Sequence, residues 1–321
     1  MSYIGQNKED VAWEETKNIA RLFAEDTGAP DSSLSSSVGI LPSCGYTQLD
    51  THLHAIVFRV PPEAGPPRTL RNLLVERNVK HSLHDRVQFA IKLATSVLVV
   101  HSLGLVHKSI RPDSILVIEN AAGSVTNLYP HKLGIPYLLA FDSSRSSRGP
   151  TMRERYAFPN GAIWGTLYKH PRHLGFRQYD YEMRDDIFSL GVCLLEIALW
   201  DSLFVWNSNE GGFVERKEAV DLSEDRCREE IAKQGRPKNS NKTLFRKYLL
   251  KEAAKEKIPP ILGDLFRDVV VACLTFGDPF EVTKDNAFQS LIEAESDLPP
   301  DEQSIHFVRT ILGKLRSIKL A

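Results

Sequence analysis

The segment VHKSIRPDSILV, residues 106–117, decides how the rest of the chain is interpreted. It follows a stretch of helical periodicity from Ser82 to His101, and it leads into an apolar run that begins at Ile115. This pattern predicts a short polar loop between two buried elements. Loops held by a rigid scaffold often carry the functional residues of a domain. We therefore place the candidate functional site in this loop.

The composition is that of a soluble globular protein. Of the 321 residues, 42% are hydrophobic and 25% are charged, so the chain can form a substantial core. The formal charge of −1 offers no general attraction to nucleic acid or to an anionic membrane. We expect a cytoplasmic protein without a membrane-spanning helix. Buried free thiols, and no zinc site, are expected of the widely spaced cysteines, three of which lie in apolar runs: Cys44, Cys193, Cys227 and Cys273.

The centre of the loop, HKSIRPDSIL, resembles the catalytic loop of eukaryotic protein kinases, HRDLKPENIL. His107, Arg111 and Pro112 fall on the His, Lys and Pro of that motif, and Lys108 falls on its Arg. The resemblance implies an α+β, protein kinase-like fold with a truncated small lobe and a mainly helical large lobe. It also implies that His107 packs in the core and does not react.

The residues that carry kinase chemistry are changed. Ser109 stands where kinases have the Asp that accepts the substrate proton, and Ser114 stands where they have an Asn that binds Mg²⁺. Ala140 stands at the metal-binding Asp of their Asp-Phe-Gly motif. A serine hydroxyl is neutral at physiological pH, so it replaces neither a general base nor a charged metal ligand. Loss of such a base typically slows a reaction by roughly 10²- to 10⁴-fold.

Scaffold positions of the same family recur further along the chain. Phe141 falls on the packing Phe of Asp-Phe-Gly, and Gly165-Thr166 falls on the start of Gly-Thr-x-x-Tyr-x-Ala-Pro-Glu. Asp186 aligns with the Asp of Asp-x-Trp-Ser-Leu-Gly, and the resemblance implies that its carboxylate accepts hydrogen bonds from the loop backbone. His170-Pro171-Arg172 replaces Ala-Pro-Glu, so another interaction must take the place of the family's buried Glu–Arg pair.

The N-terminal part of the chain predicts a remnant of a kinase small lobe at residues 1–60. We expect a helix from Val11 to Asp26 and strands at Val38 to Leu41 and His54 to Val60, with Cys44-Gly45-Tyr46 and a polar turn between the two strands. About ten residues precede the helix, too few for the strands and glycine-rich loop that bind nucleotide in kinases. The chain is therefore expected to begin partway into the small lobe.

The Pro- and Gly-rich segment 61–68 is expected to form a hinge, and residues 69–321 the large lobe. Residues Asp201 to Lys242 are polar and are predicted to form an irregular insertion. Helices are predicted at Thr69 to Leu74, Ser82 to His101, Asp185 to Glu196, Thr243 to Glu256, Ile261 to Phe276, Lys284 to Ala294 and Ile305 to Ile318.

The chain keeps the scaffold positions of the kinase family and changes three positions that carry its chemistry, and in this it resembles a pseudokinase. It is also similar to kinase-like modules of filamentous fungi that accompany HeLo-type domains linked to prion propagation. The resemblance implies a scaffold that binds unidentified protein partners without a cofactor, in fungal self-recognition or cell-death signalling. The alternative is an ATP-dependent protein kinase in which Asp142 or Asp113 holds Mg²⁺. Candidate phosphorylation sites on an otherwise flexible, Ser- and Arg-rich loop are Ser143, Ser144, Ser146, Ser147 and Thr151.

Overall fold

Helices and short antiparallel strands combine into a mixed α+β fold. A computed structural model describes residues 8–24, 39–50, 53–62, 64–76, 79, 81–119, 130–141, 144–147, 166–174, 179–209, 211–233, 242–277 and 297–319. The helices are α1 (Lys8–Leu22), α2 (Leu70–Val75), α3 (Leu83–Ser102), α4 (Met183–Leu199), α5 (Glu224–Lys233), α6 (Lys242–Lys257), α7 (Pro259–Thr275) and α8 (Pro300–Arg316). The strands are β1 (Ser43–Asp50), β2 (Leu53–Phe58), β3 (Arg68–Thr69), β4 (Leu105–Val106), β5 (Ile115–Ile118), β6 (Ile135–Leu138), β7 (Arg145–Ser146), β8 (Phe204–Asn207) and β9 (Gly212–Glu215).

The N-terminal unit consists of α1 packed on the hairpin formed by β1 and β2. Trp13 on α1 contacts the rings of Tyr46 and His54, with centroid distances of 5.1 and 4.6 Å. Tyr46 lies opposite Ile56 in the antiparallel register, so both side chains lie on the sheet face that α1 covers. The predicted order of one helix followed by two strands is confirmed.

The first strand does not lie where the sequence predicted it. The segment expected as a strand, Val38 to Leu41, precedes β1, and β1 itself includes Cys44-Gly45-Tyr46, which were expected to lie between the two strands. Gly39 has a left-handed φ of 69°, and an added Cβ there would collide with the hydroxyl of Ser96. Gly39 is therefore needed for a close approach to α3. Because β1 is polar, it lacks the apolar alternation that would have marked it as a strand.

Helix α4 lies at the centre of the helical part of the fold, as the sequence predicted. Nearly all of its residues are buried, because α3, α7 and α8 surround it and its own surface is apolar on every side. At the crossing with α7, a Cβ added to Gly191 would lie 2.7 Å from the Cβ of Cys273. A residue without a side chain is required there for the two helices to pack at this distance.

The segment from Asp201 to Lys242, predicted to be irregular, is partly regular. It contains the β8–β9 hairpin, in which Trp206 lies opposite Phe213, and helix α5. Cys227 and Ile231 lie one turn apart on α5 and are both buried. The prediction was wrong because each of these elements is short and contributes few apolar residues, too few to give a clear period.

The predicted hinge at residues 61–68 is attached to the central strands at both its middle and its end. The backbone N–H of Gly65 donates to the carbonyl of Glu119 at 3.0 Å. Arg68 begins β3, which pairs with β5 in the three-stranded sheet β3–β5–β6.

Helices α2, α3, α6 and α7 lie within two residues of the predicted segments, whereas α8 begins at Pro300, five residues before the predicted start at Ile305. Helix α3 begins after Ser82, whose hydroxyl accepts a hydrogen bond from the backbone N–H of Asp85 at 3.0 Å and so caps the helix. The helix predicted at Lys284 to Ala294 lies outside the described residues. No described helix combines the length and the apolar character that crossing a membrane requires. The predicted burial of free thiols is confirmed for Cys193, Cys227 and Cys273, whereas Cys44 is exposed.

Candidate functional site

Residues 107–114 form a loop whose ends are held by two short strand pairings. Strand β4 precedes the loop and pairs with β7, and β5 follows the loop and pairs with β6. In β7, the buried guanidinium of Arg145 donates to the backbone carbonyl of Tyr181 at 2.6 Å. The loop is thereby connected both to β7 and to the segment that leads into α4.

The carboxylate of Asp186, in the first turn of α4, fixes the backbone of the loop. It is fully buried and accepts hydrogen bonds from the backbone N–H groups of His107 at 2.7 Å and Lys108 at 2.9 Å. The hydroxyl of Tyr181 donates to it at 2.9 Å, and Nε2 of His101 lies 3.2 Å away. A buried carboxylate is stable only when such partners satisfy it. The two backbone hydrogen bonds are those that the sequence predicted for Asp186.

His107 packs inside the protein beneath the loop. Its ring makes an edge contact with Phe141 at a centroid distance of 4.7 Å, and its Nδ1 accepts a hydrogen bond from the backbone N–H of Ser109 at 3.2 Å. Burial lowers the pKa of His107 to about 4, against the opposing effect of the nearby Asp186 carboxylate. The imidazole is therefore neutral near pH 7, and the predicted packing role is confirmed.

The buried His107 predicts a loss of stability in mild acid. A histidine exposed in the unfolded state titrates near pH 6.5, so the stabilisation is complete above that pH and is lost as the pH falls towards the folded-state pKa of about 4. Between pH 7 and pH 5 this difference amounts to about 2 kcal/mol. Urea unfolding at both pH values should give a smaller acid-dependent loss for His107→Asn than for the unchanged protein.

The exposed His131 provides the matched control for this experiment. The variant His131→Asn should retain the full acid-dependent loss. An equal loss in the His107 variant and in the unchanged protein would contradict a neutral, buried His107.

Ser114, at the position where kinases bind Mg²⁺ through Asn, is part of the loop's internal structure. Its hydroxyl lies 2.6 Å from the carbonyl oxygen of Ser109 and 2.9 Å from that of Arg111, and it accepts from the backbone N–H of Arg111 at 3.1 Å. Pro112 is the first residue of the short 3₁₀ turn Pro112–Ser114, which these hydrogen bonds stabilise. The Ser114 side chain is 3% exposed, so its hydroxyl stabilises the turn and is directed at the backbone.

Two residues next to the His107–Phe141 contact have left-handed backbone conformations. Lys108 has a φ of 67° and Ala140 a φ of 64°, values that are rare for residues with a Cβ and that cost about 1 to 2 kcal/mol each. Ala140 offers no carboxylate at the position where the kinase metal ligand would stand. Asp142 lies outside the described residues.

An aromatic cluster joins the loop to the N-terminal unit. The ring centroid of Phe141 lies 4.7 Å from that of Phe23, just after α1, and 6.0 Å from that of Phe58 on β2. With His107, these rings form a continuous contact from the loop to α1 and β2. These contacts pack the end of α1 and strand β2 against Phe141.

A buried charge network lies on the opposite side of the loop, around Arg71 of α2. Its guanidinium donates to Asp113 at 3.1 Å, to Glu196 at 3.1 Å and to the hydroxyl of Tyr168 at 2.9 Å. The Tyr168 hydroxyl in turn donates to Glu196 at 2.8 Å. Burial raises the pKa of Glu196, and Arg71 opposes that shift. The network connects α2, the loop and α4 around one fully buried carboxylate.

The sequence analysis did not identify this network, although a signal was present. Arg71 lies within the apolar stretch Leu70 to Leu74, and Glu196 lies within the apolar helix α4. Charged residues inside apolar elements are rarely buried unless they are paired. Asp113, one of the two metal ligands under the kinase alternative, is engaged by Arg71.

The segment His170-Pro171-Arg172 is held by an ion pair between Arg172 and Asp185. The guanidinium of Arg172 donates to both carboxylate oxygens of Asp185, at 2.8 and 2.6 Å, and Nε2 of His173 lies 3.0 Å from the same carboxylate. Burial raises the pKa of Asp185, but hydrogen bonds from His173 and Arg172 outweigh it and lower the pKa to about 2. The replacement predicted for the missing Glu–Arg pair is thus an arginine on the segment and a carboxylate on α4.

The candidate phosphorylation sites differ in exposure. Ser144 is 3% exposed, and its hydroxyl donates to the carbonyl of His107 at 3.0 Å, so it does not belong to a flexible, accessible loop as expected. Ser146 is exposed, and Ser147 is half-buried. Ser143 and Thr151 lie outside the described residues.

Within the described ranges, no group of three or more His, Cys, Asp or Glu side chains is arranged to hold a metal ion. The polar groups at the loop are the carboxylate of Asp186, which accepts from the loop backbone, the carboxylate of Asp113, which is paired with Arg71, and the hydroxyls of Ser109 and Ser114. No protein-family model matches the chain.

Proposed function

We propose that the chain is a catalytically inactive, protein kinase-like domain that acts as a binding or signalling scaffold. The resemblance of residues 106–117 to a kinase catalytic loop is the first support. The second is that Asp186, aligned with a kinase scaffold residue, accepts hydrogen bonds from the backbone of that loop. A phosphotransferase would need a base and metal ligands in this frame.

The main observation in support of the proposal is that the side chains at and beside the changed positions have structural contacts or lack ligand atoms. The hydroxyl of Ser114 is consumed by the carbonyls of Ser109 and Arg111, and Ala140 has no ligand atom. Asp113, which could have served as a substitute metal ligand, is hydrogen-bonded to the buried Arg71. The side chains around the loop thus maintain its shape and leave little for proton transfer or metal binding.

A thermal unfolding experiment tests this proposal. The midpoint is measured with and without ATP, in Mg²⁺ and in EDTA, alongside transfer of the labelled γ-phosphate to a generic protein acceptor. A ligand at about a hundredfold over its dissociation constant would stabilise the native state by ~2.7 kcal/mol, a shift of several degrees for a chain of this size. We expect no Mg²⁺-dependent shift and no transfer.

A Mg²⁺-dependent shift that Asp142→Asn or Asp113→Asn removes would overturn the proposal in favour of the active kinase. A shift with ATP in both Mg²⁺ and EDTA, without phosphate transfer, would leave the inactive scaffold in place and add nucleotide as its ligand.

A further inference from the structure

The β8–β9 hairpin presents an exposed tryptophan beside the buried Arg71 network. Phe213 on β9 lies with its ring centroid 5.8 Å from the Arg71 guanidinium carbon. Trp206 lies opposite it on β8, and the two rings make an edge contact at 5.4 Å. Trp206 is 57% exposed, more than any other aromatic side chain among the described residues. An exposed tryptophan anchored on a second ring is the kind of residue that dominates binding at protein interfaces.

Three ion pairs next to this hairpin share one orientation, in which the cation is buried and the carboxylate is the more exposed member, whereas both members of the Arg71–Glu196 pair are buried. The side chain of Arg71 is 6% exposed, whereas that of its partner Asp113 is 29% exposed. At the base of the hairpin, Arg216 is 6% exposed and its partner Asp201 is 25% exposed. Glu215 of β9 is likewise more exposed than its partner Arg246. These three pairs are balanced in charge, but in each of them the carboxylate side chain is more exposed to solvent than the arginine that it binds.

From this arrangement we propose that Trp206, Phe213 and Asp113 form a docking surface for an arginine-bearing, extended segment of a partner protein. A guanidinium fits such a surface because it stacks on an aromatic face and donates to a carboxylate at the same time. The arrangement already exists within the protein, where the Arg71 guanidinium lies over Phe213 and Tyr168 and donates to Asp113. Trp206 lies one ring further out, in edge contact with Phe213.

Charge complementarity selects the partner. A lysine ammonium is more strongly hydrated than a guanidinium and lacks its planar, two-pronged donor geometry, so arginine is preferred over lysine. An acidic segment would meet Asp113, Asp201 and Glu215 and would be repelled. This inference rests on the proposed scaffold function, because it names the class of partner that the scaffold recruits.

The test uses the full chain and fluorescein-labelled peptides built from Arg-Gly-Ser repeats, with Lys-Gly-Ser and Glu-Gly-Ser repeats for comparison. Fluorescence anisotropy should detect binding of the Arg peptide, weaker binding of the Lys peptide and none of the Glu peptide. Trp206→Ala should weaken binding of the Arg peptide by about 10-fold. Raising the salt concentration from roughly 0.05 to 0.5 M should weaken it further, because exposed charges are screened.

Tyr179→Ala is the matched control, since Tyr179 is an exposed aromatic residue that contacts Arg172 and not this hairpin. It should leave peptide binding unchanged. Equal binding of the Glu and Arg peptides, or an unchanged affinity in Trp206→Ala, would overturn the proposed surface. If no peptide binds and Trp206→Ala removes self-association in sedimentation velocity, the occupant is a second copy of the chain and the proposal also fails. Nucleotide assays on the same preparation separate these outcomes from failure of the inactive-scaffold proposal.

Discussion

Replacement of Arg71 by Met is expected to destabilise the folded protein by about 3 to 5 kcal/mol, because it removes the cation from a buried carboxylate. Glu196 is fully buried, and without Arg71 it would retain hydrogen bonds from Tyr168 and from the backbone N–H of Leu203, at 2.8 and 2.9 Å, and a longer one from the Ser202 hydroxyl at 3.5 Å. These neutral donors do not compensate the desolvation of a negative charge. Equilibrium unfolding in urea measures the difference.

A double variant identifies the cause of the expected loss. Arg71→Met combined with Glu196→Leu removes both charges and should recover much of the stability, because a well-packed apolar pair often replaces a buried ion pair without penalty. The opposite result is a double variant that loses as much unfolding free energy as the two single variants together. That result would show that the buried carboxylate is not responsible.

Replacement of Asp186 by Asn is expected to destabilise the protein by about 3 kcal/mol or more. The amide keeps the size of the side chain but exchanges one acceptor oxygen for an NH₂ donor. Four groups now point at the carboxylate, and the amide cannot accept from the N–H groups of both His107 and Lys108 together with the Tyr181 hydroxyl. At least one buried donor is left unsatisfied, and the negative charge that strengthened all of these bonds is lost.

Hydrogen exchange provides a readout specific to the loop. The amides of His107 and Lys108 should exchange faster in Asp186→Asn than expected from the global loss of stability alone. Asp264→Asn is the control, because Asp264 is exposed on α7 and pairs only with Arg267 at the surface. It should change the unfolding free energy by less than about 1 kcal/mol. Unchanged exchange at His107 and Lys108 would contradict the role of Asp186 in holding the loop.

The sequence predicted the structure at positions where the residues themselves favour one local conformation or require a partner. The continuous apolar run of α4 could only be a central helix, and Ser82 with Asp85 could be assigned as a helix start because their spacing forms a local hydrogen bond. The resemblance of the segment at Asp186 to Asp-x-Trp-Ser-Leu-Gly implied that the loop backbone supplies the donors that a buried carboxylate requires. These assignments depend on local periodicity and on the high energy of unpaired buried charge.

Other parts could not be predicted, because their partners are distant in the sequence. The strand β1 is polar and is defined by pairing with β2 and by contact with Trp13, so its own residues carry a weak signal. The β8–β9 hairpin and α5 are short elements whose apolar residues fill gaps beside larger helices. In each case the contacts that decide the structure involve other segments of the chain.

The sequence by itself determined that positions 109, 114 and 140 hold no carboxylate, since residue identity alone decides whether a carboxylate is present. The resemblance of the loop at residues 107–114 to a kinase catalytic loop stays a prediction. Only the tertiary structure decided what the remaining polar groups do. It directs the Ser114 hydroxyl to the backbone, pairs Asp113 with Arg71 and Asp185 with Arg172, and exposes Trp206. The physical reason is that burial and pairing of a charged group depend on residues separated by tens of positions, which meet only when the helices pack.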